Sequence, residues 1–108
     1  MQGDGELSGV ALKILVTVRL EVDLIKAIPI AWPRAENARL IMTSGGARPL
    51  EDAARIAYRD LARWVDAETG MGEDETFMLL TMCGKVRLGN MVDPKNTVGA
   101  SIDNKHLC

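Results

Sequence analysis

Strict alternation of apolar and polar residues marks the segment from residue 16 to residue 24. Apolar side chains occupy every even position of this segment, and the odd positions carry Thr17, Arg19, Glu21 and Asp23. A period of two is typical of a β-strand with one buried face and one polar face. Ile14 and Leu15 extend the apolar pattern upstream, so the sequence predicts a long first strand over residues 14–24.

The next segments predict a loop, a second strand and a turn. Pro29 and Pro33 bracket a loop over residues 27–36 that contains Trp32. The run Arg-Leu-Ile-Met-Thr at 39–43 predicts a second strand. The four residues that follow, Ser-Gly-Gly-Ala at 44–47, predict a flexible turn with free backbone amides.

Two helices are predicted in the middle of the chain. The first begins at Pro49, with Glu51 and Asp52 in the first turn where acids complement the helix dipole. Apolar residues at spacings of three and four then define one face, and Gly70 ends the helix. A second helix is predicted over Glu73–Cys83. Because it is apolar nearly all round, we expect it to be buried between the first helix and the sheet.

The last part of the chain predicts two more strands, a short one over Val86–Leu88 and a final one over Val98–Ile102, with a loop at 90–96 between them. The order is strand, strand, helical hairpin, strand, strand. This order predicts an α+β fold in which a two-helix hairpin packs on a mostly antiparallel sheet. Because the chain has 108 residues, the usual size of one domain, we expect residues 1–108 to form a single domain.

Composition excludes several classes of function. The formal net charge is −2 and aromatic residues make up 4% of the chain. These values argue against a nucleic-acid partner, which needs basic patches or stacking platforms. Charged residues interrupt the longest apolar stretch, so no membrane partner is expected, and no signal peptide is recognised. We therefore expect a cytoplasmic protein. The two cysteines do not have zinc-finger spacing.

A glycine-rich acidic turn near the start of the chain is the strongest candidate for chemistry. Asp4 and Glu6 stand one residue apart between glycines in the run Gln-Gly-Asp-Gly-Glu. In an extended segment, residues two apart point the same way, so both carboxylates would face one site. Two convergent carboxylates suit metal binding or activation of an amide for hydrolysis. The alternative is a polar turn whose acids are solvated.

Three further residues are weaker candidates. Glu36 lies beside Arg34 in the predicted loop; it is either a site carboxylate or a surface acid paired with Arg34 or Arg39. The amides of Gly45 and Gly46 would suit an oxyanion, although a plain turn explains these glycines equally well.

Four motifs, in this order, resemble one known family. They are QGDGELSG, WPRAEN, RPLEDAARIAYRDL and VRLGNMVDP. Together they resemble the C-terminal part of the acetamidase/formamidase family, including its γ-lactamase branch. The resemblance implies a hydrolase of short linear or cyclic amides that releases ammonia or opens a lactam. It also implies a divalent metal such as zinc in the full-length enzyme.

The resemblance assigns roles to the candidate residues. Glu6 is expected to be a general base or metal ligand, Asp4 its companion, and Glu36 a third catalytic candidate. Gln2 matches the family motif and, with Gly45 and Gly46, is expected on the substrate side of the site.

The same resemblance implies that something is missing from this chain. Family members carry a longer N-terminal β-rich region and an Asp-x-His segment upstream of the glycine-rich motif, and neither has a counterpart here. The 108-residue chain alone is therefore expected to be inactive and to bind zinc weakly, since two carboxylates make a poor zinc site. Its expected partner is the missing N-terminal region or a second copy. The alternative functions are a catalytically silent interaction module, or a small-ligand or metal-binding domain without chemistry.

Overall fold

The computed structural model describes residues 3–107, which form four strands, two helices and a short 3-10 helix. In chain order the elements are β1 Arg34–Glu36, β2 Leu40–Ala47, α1 Leu50–Thr69, α2 Glu73–Cys83, β3 Lys85–Asn90, β4 Asn96–Asp103 and the 3-10 helix Asn104–His106.

All four strands belong to one antiparallel sheet with the order β1-β2-β4-β3. The chain leaves β2, passes through both helices and returns in β3, and β4 then inserts between β2 and β3. The predicted α+β fold with an antiparallel sheet and a helical hairpin is confirmed.

The core lies between α1 and one face of the sheet. Ile41 on β2 and Ala100 and Ile102 on β4 are buried against Leu61 and Val65 of α1. These helix positions follow the predicted spacing of four, which gives α1 a single apolar face. The hydroxyl of Thr43 is also buried and donates to the Ala57 carbonyl oxygen at 2.6 Å, so a polar side chain enters the core with its partner.

Both predicted helices are present, but α2 is less buried than expected. Gly70 ends α1 in the left-handed conformation at φ 66°, which glycine adopts without steric cost. In α2 only Thr76 and Leu80 are buried, whereas Met82 is 75% exposed. The prediction that α2 is buried between α1 and the sheet was wrong, because the 20 residues of α1 already cover that face.

The edge strand β1 was not predicted, and an ion pair holds it to α1. Arg34 Nε and Nη2 each lie 3.1 Å from a carboxylate oxygen of Asp60, whose side chain is only 6% exposed. The Arg34 guanidinium also lies 5.0 Å from the centroid of the Trp64 ring, within range of a cation–π contact. Residues 34–36, which were predicted to lie in a loop, thus form a strand that contacts α1 through Arg34.

Two local predictions about strands were wrong. Residues 14–24 pair with none of the four strands, although their alternation is typical of a strand. Alternation reports that a segment suits a sheet, but a strand also requires a neighbour, and the described residues supply none for this segment. Residues 44–47 were expected to form a turn; they continue β2, because each of them has a partner on β4.

No helix within residues 3–107 has the length and apolar character that a membrane crossing requires.

Candidate functional site on the open face of the sheet

The face of the sheet that α1 does not cover carries a shallow groove of about 480 Å³. Strand alternation directs Met42 and Ser44 of β2 and Thr97, Gly99 and Ser101 of β4 to this face. A Cβ on Gly99 would lie 3.1 Å from the Met42 sulfur, so the absence of a side chain keeps the floor of the groove open. The groove combines the hydroxyl groups of Ser44, Thr97 and Ser101 with a mainly apolar lining, to which Leu40, Met42 and Leu88 contribute, as is usual for sites that bind small molecules.

Asp4 and Arg87 stand at one side of this groove. Arg87 Nη1 lies 3.2 Å from Asp4 Oδ2, and both side chains are largely exposed. An exposed ion pair of this kind contributes at most about 1 kcal/mol, so either partner can exchange it for a ligand at little cost. Asp4 was predicted from the sequence as a site residue, whereas Arg87 was not. Arg87 reaches the groove because β3 pairs with β4 in the register that sets Arg87 opposite Gly99. The sequence indicated only that Arg87 lies in a predicted strand.

Glu6 is fixed beside the end of β3 by its backbone. Its N–H donates to the Gly89 carbonyl oxygen at 3.0 Å, and its own carbonyl oxygen accepts from the Met91 N–H at 2.9 Å. Between Asp4 and Glu6, Gly5 adopts φ 73°, a left-handed conformation that interrupts the extended geometry assumed from the sequence. Asp4 lines the groove and the half-buried Glu6 lies next to it along the same sheet edge.

The structure does not bring Glu36 to the two other acids. Glu36 lies on β1, and three strand spacings, about 14 Å, separate β1 from β3 at the other edge of the sheet. Of the two ion-pair partners considered for it, Arg34 contacts Asp60 and Arg39 lies 3.9 Å from Asp103.

The two glycines proposed for substrate binding occupy different surroundings within β2. Gly45 is buried against the backbone of α1, whereas Gly46 faces the Trp32 ring on the opposite side. Gln2, the remaining substrate-binding candidate, lies outside the described residues.

A second ionic cluster joins the start of β3 to the end of β4, at the same end of the sheet. Lys85 Nζ donates to Asp103 Oδ2 at 2.8 Å, and the Asp103 side chain is 90% buried. The hydrogen bond from Lys85 lowers the pKa of Asp103; burial opposes this effect, and the positive charges of Lys85, Arg39 and Lys105 add to it. This cluster lies at the end of the sheet and holds β3 in register beside β4.

The donor set of the described residues does not fit a metal centre. Within residues 3–107, no three His, Cys, Asp or Glu side chains are grouped closely enough to hold an ion together. The Asp4 carboxylate is paired with a guanidinium instead.

Comparison with solved structures gives three acetamidase-type neighbours. An acetamidase from Yersinia enterocolitica matches with a TM-score of 0.75 and 58% identity, over 78% of this chain and 26% of that one. A predicted acetamidase/formamidase from Thermoanaerobacter tengcongensis matches with a TM-score of 0.69 and 26% identity, over 77% of this chain and 28% of that one. An acetamidase from Bacillus halodurans matches with a TM-score of 0.64 and 26% identity, over 68% of this chain and 25% of that one. No protein-family model and no curated protein matches the sequence.

The chain thus has an α+β fold in which α1 covers one face of the sheet and the groove lies on the other face. The resemblance to the acetamidase/formamidase family, which the sequence motifs predict, is confirmed by these solved structures. The chain spans about a quarter of the length of the acetamidases that it matches.

Proposed function

We propose that this domain forms one side of the active site of a hydrolase that acts on short linear or cyclic amides. The observation that carries the proposal is the 58% identity to an acetamidase over 78% of the chain, at a TM-score of 0.75. The groove supports it, because hydroxyl groups, a carboxylate and a guanidinium converge there on a space suited to a small substrate.

Asp4 and Arg87 in the groove, together with the neighbouring Glu6, suggest separate roles in amide hydrolysis. The reaction needs a base for the attacking water, stabilisation of the developing oxyanion and a proton for the leaving nitrogen. In the proposed mechanism, Glu6 takes the proton from water and later returns it to the leaving amine. Asp4 pairs with Arg87 before the substrate binds. Once the substrate displaces this weak pair, Asp4 orients the water and the Arg87 guanidinium stabilises the oxyanion. Gly45, Gly46 and Gln2 stay predictions on the substrate side, and Glu36 is a candidate remote from Asp4 and Glu6.

The sharpest test is a chimera with the Yersinia enterocolitica acetamidase. The aligned quarter of that protein is replaced by this chain, and ammonia release from acetamide and formamide is measured together with opening of a γ-lactam. We expect turnover by the chimera and a loss of about 10²-fold or more in kcat/KM for Glu6→Gln and for Asp4→Asn, the usual scale for general acid–base groups. Glu51→Gln, an exposed acid on α1, is the matched control.

Circular dichroism and a single thermal transition establish that each chimera is folded. A folded chimera without turnover, or one in which Glu6→Gln and Asp4→Asn match Glu51→Gln, would contradict the proposal. The same assay on the 108-residue chain alone tests the expectation that it is inactive. The expected weak binding of zinc also stays a prediction, and a tight one-to-one titration would contradict it.

A second candidate function is a catalytically silent interaction module. It is favoured by the exposed apolar segment that precedes β1, where Val16, Leu20 and Val22 are 65%, 78% and 89% exposed. Stable assembly of the chain combined with a folded but inactive chimera would support this function over the first.

A further inference from the structure

Residues 14–24, called the arm below, present a row of apolar side chains to solvent. Every even-numbered residue of the arm is apolar and at least 65% exposed: Ile14, Val16, Val18, Leu20, Val22 and Leu24. Arg19, Glu21 and Asp23 occupy odd positions and are also exposed. Contiguous exposed apolar surface of this kind usually marks an interaction site.

The form of the arm restricts what binds there. Its alternation suits a strand in a sheet with one apolar face, and a strand obtains its stability from a neighbouring strand that satisfies its backbone groups. An unpaired strand of this type recruits another strand by edge-to-edge pairing. The partner surface is therefore itself a strand.

The charges of the arm favour a second copy of the same arm. We propose that two copies of this chain associate through their arms, paired antiparallel about a two-fold axis at Leu20. In this register residue i faces residue 40 − i of the other copy, so Arg19 faces the second copy's Glu21, and the pair occurs twice. Opposite charges in directly facing positions stabilise a strand pair.

Neighbouring registers are less favourable. A two-fold axis at Arg19 places two arginines opposite each other, and an axis at Glu21 places two glutamates opposite each other. An axis at residue 18 avoids such clashes but sets Glu21 against Leu15. Parallel in-register pairing opposes every charge to itself.

The same register aligns the apolar residues on one face. Leu20 meets the second copy's Leu20, Val18 meets Val22, and Val16 meets Leu24, giving facing β-branched and aliphatic pairs. A two-stranded ribbon is marginally stable in water, so its apolar face needs a further layer. A second such ribbon supplies that layer, and the assembly contains an even number of chains.

The first test uses charge reversal in the full 108-residue chain, with molar mass measured by light scattering across a concentration series. We expect wild type to form dimers or larger even assemblies of the 11.8 kDa chain. Arg19→Glu places Glu against Glu twice and should raise the dissociation constant about tenfold or more. The double variant Arg19→Glu/Glu21→Arg restores opposite charges and should recover wild-type assembly. Arg63→Glu, on the exposed part of α1, is the control for net charge.

The second test reads the register through cysteines. Directly facing positions have Cβ atoms about 4.5–5.5 Å apart, close to the spacing that a disulfide needs. Under mild oxidation, Leu20→Cys should give a covalent dimer beyond the wild-type background. Val18→Cys should not, because its facing residue is Val22, whereas Val18→Cys/Val22→Cys should.

Several outcomes would overturn the proposal. Among them are a monomer at all concentrations, equal assembly of Arg19→Glu and its double variant, and equal cross-linking of Leu20→Cys and Val18→Cys. A chain that is monomeric alone but binds the remaining three quarters of an acetamidase would assign the arm to that polypeptide instead. None of these outcomes depends on amide hydrolysis, so association through the arms is tested independently of the proposed amidase function.

Discussion

Gly45 and Gly46, which are consecutive in β2, differ strongly in the space available for a side chain. A Cβ on Gly45 would clash with the Ala53 carbonyl oxygen and lie 2.8 Å from the Ala57 backbone nitrogen, so it would meet the backbone of α1. A Cβ on Gly46 would find the Trp32 ring at 3.6 Å, an ordinary contact. Gly45 therefore permits the close approach of helix and sheet, and Gly46 has no such constraint.

Substitution of the two glycines by alanine should affect stability to very different extents. Gly45→Ala forces α1 away from β2, and we expect it to lower the free energy of unfolding by about 3 kcal/mol, at the upper end of overpacking costs. Gly46→Ala should change it by less than about 1 kcal/mol, since the added methyl fits. Urea unfolding followed by circular dichroism measures both. Equal effects of the two substitutions would show that helix–sheet contact at Gly45 is not limiting.

At the scale of elements, β1 depends on a contact that is distant in sequence. Among the described residues its three residues pair only with β2, and the Arg34–Asp60 ion pair fixes the strand against α1. Asp60 is buried, and removal of one partner from a buried pair leaves a charge without compensation. The edge of the sheet is therefore more sensitive to this pair than to any exposed one.

We expect Asp60→Ala to lower the free energy of unfolding by about 3 kcal/mol, the lower end for broken buried pairs, because Arg34 keeps some access to water. Asp52→Ala is the matched control. Asp52 pairs with Arg55 at 2.8 Å on the exposed face of α1, where such a pair is worth about 0.5 kcal/mol. Chemical denaturation of both variants gives the comparison. Similar losses would mean that β1 is not held through Asp60.

The elements that could be predicted from sequence are those whose signals are local. The bounds of α2 were predicted as observed, because acids begin the helix and glycine follows its last residue. The extension of β2 through residues 44–47 and the short β1 depend on partners elsewhere in the chain, which propensity does not reveal. Residues 14–24 show the reverse case, a clear strand pattern without a partner among the described residues.

The candidate site also contains residues with a local sequence signal and residues whose position depends on distant contacts. Asp4 was identified because its glycine-rich surroundings are visible in the sequence, and the structure places it at the groove. Arg87 was missed because only the register of β3 on β4 brings it to Asp4. The separation of Glu36 follows from the strand order, which a linear motif does not specify.

At the scale of the whole molecule, the two faces of the sheet have different roles. One face is closed by α1 and contains the core, and the other is open and carries the groove. The Lys85–Asp103 contact joins the start of β3 to the end of β4, so it supports the sheet from which both faces are built. Loss of this contact should therefore affect the stability of the entire domain and not only one edge.

The pH dependence of stability tests this contact. Because the pKa of Asp103 is lowered in the folded state, chiefly by the hydrogen bond from Lys85, the unfolded chain binds a proton more readily than the folded chain. The stabilisation is fully present above the unfolded pKa, about 4, and is lost as the pH falls from there through the lower folded pKa. Asp103→Asn should thus be less stable than wild type by a constant amount between pH 7 and pH 5, and the difference should shrink toward pH 3.

Lys85→Gln should show the same pattern, and the double variant should add little to either single one, since both remove one interaction. Lys95→Gln, in the exposed loop between β3 and β4, is the control for loss of a lysine. Free energies of unfolding in urea at pH 7, 5 and 3 provide the comparison. A deficit of Asp103→Asn that stays constant down to pH 3 would show that ionisation of this carboxylate does not stabilise the sheet.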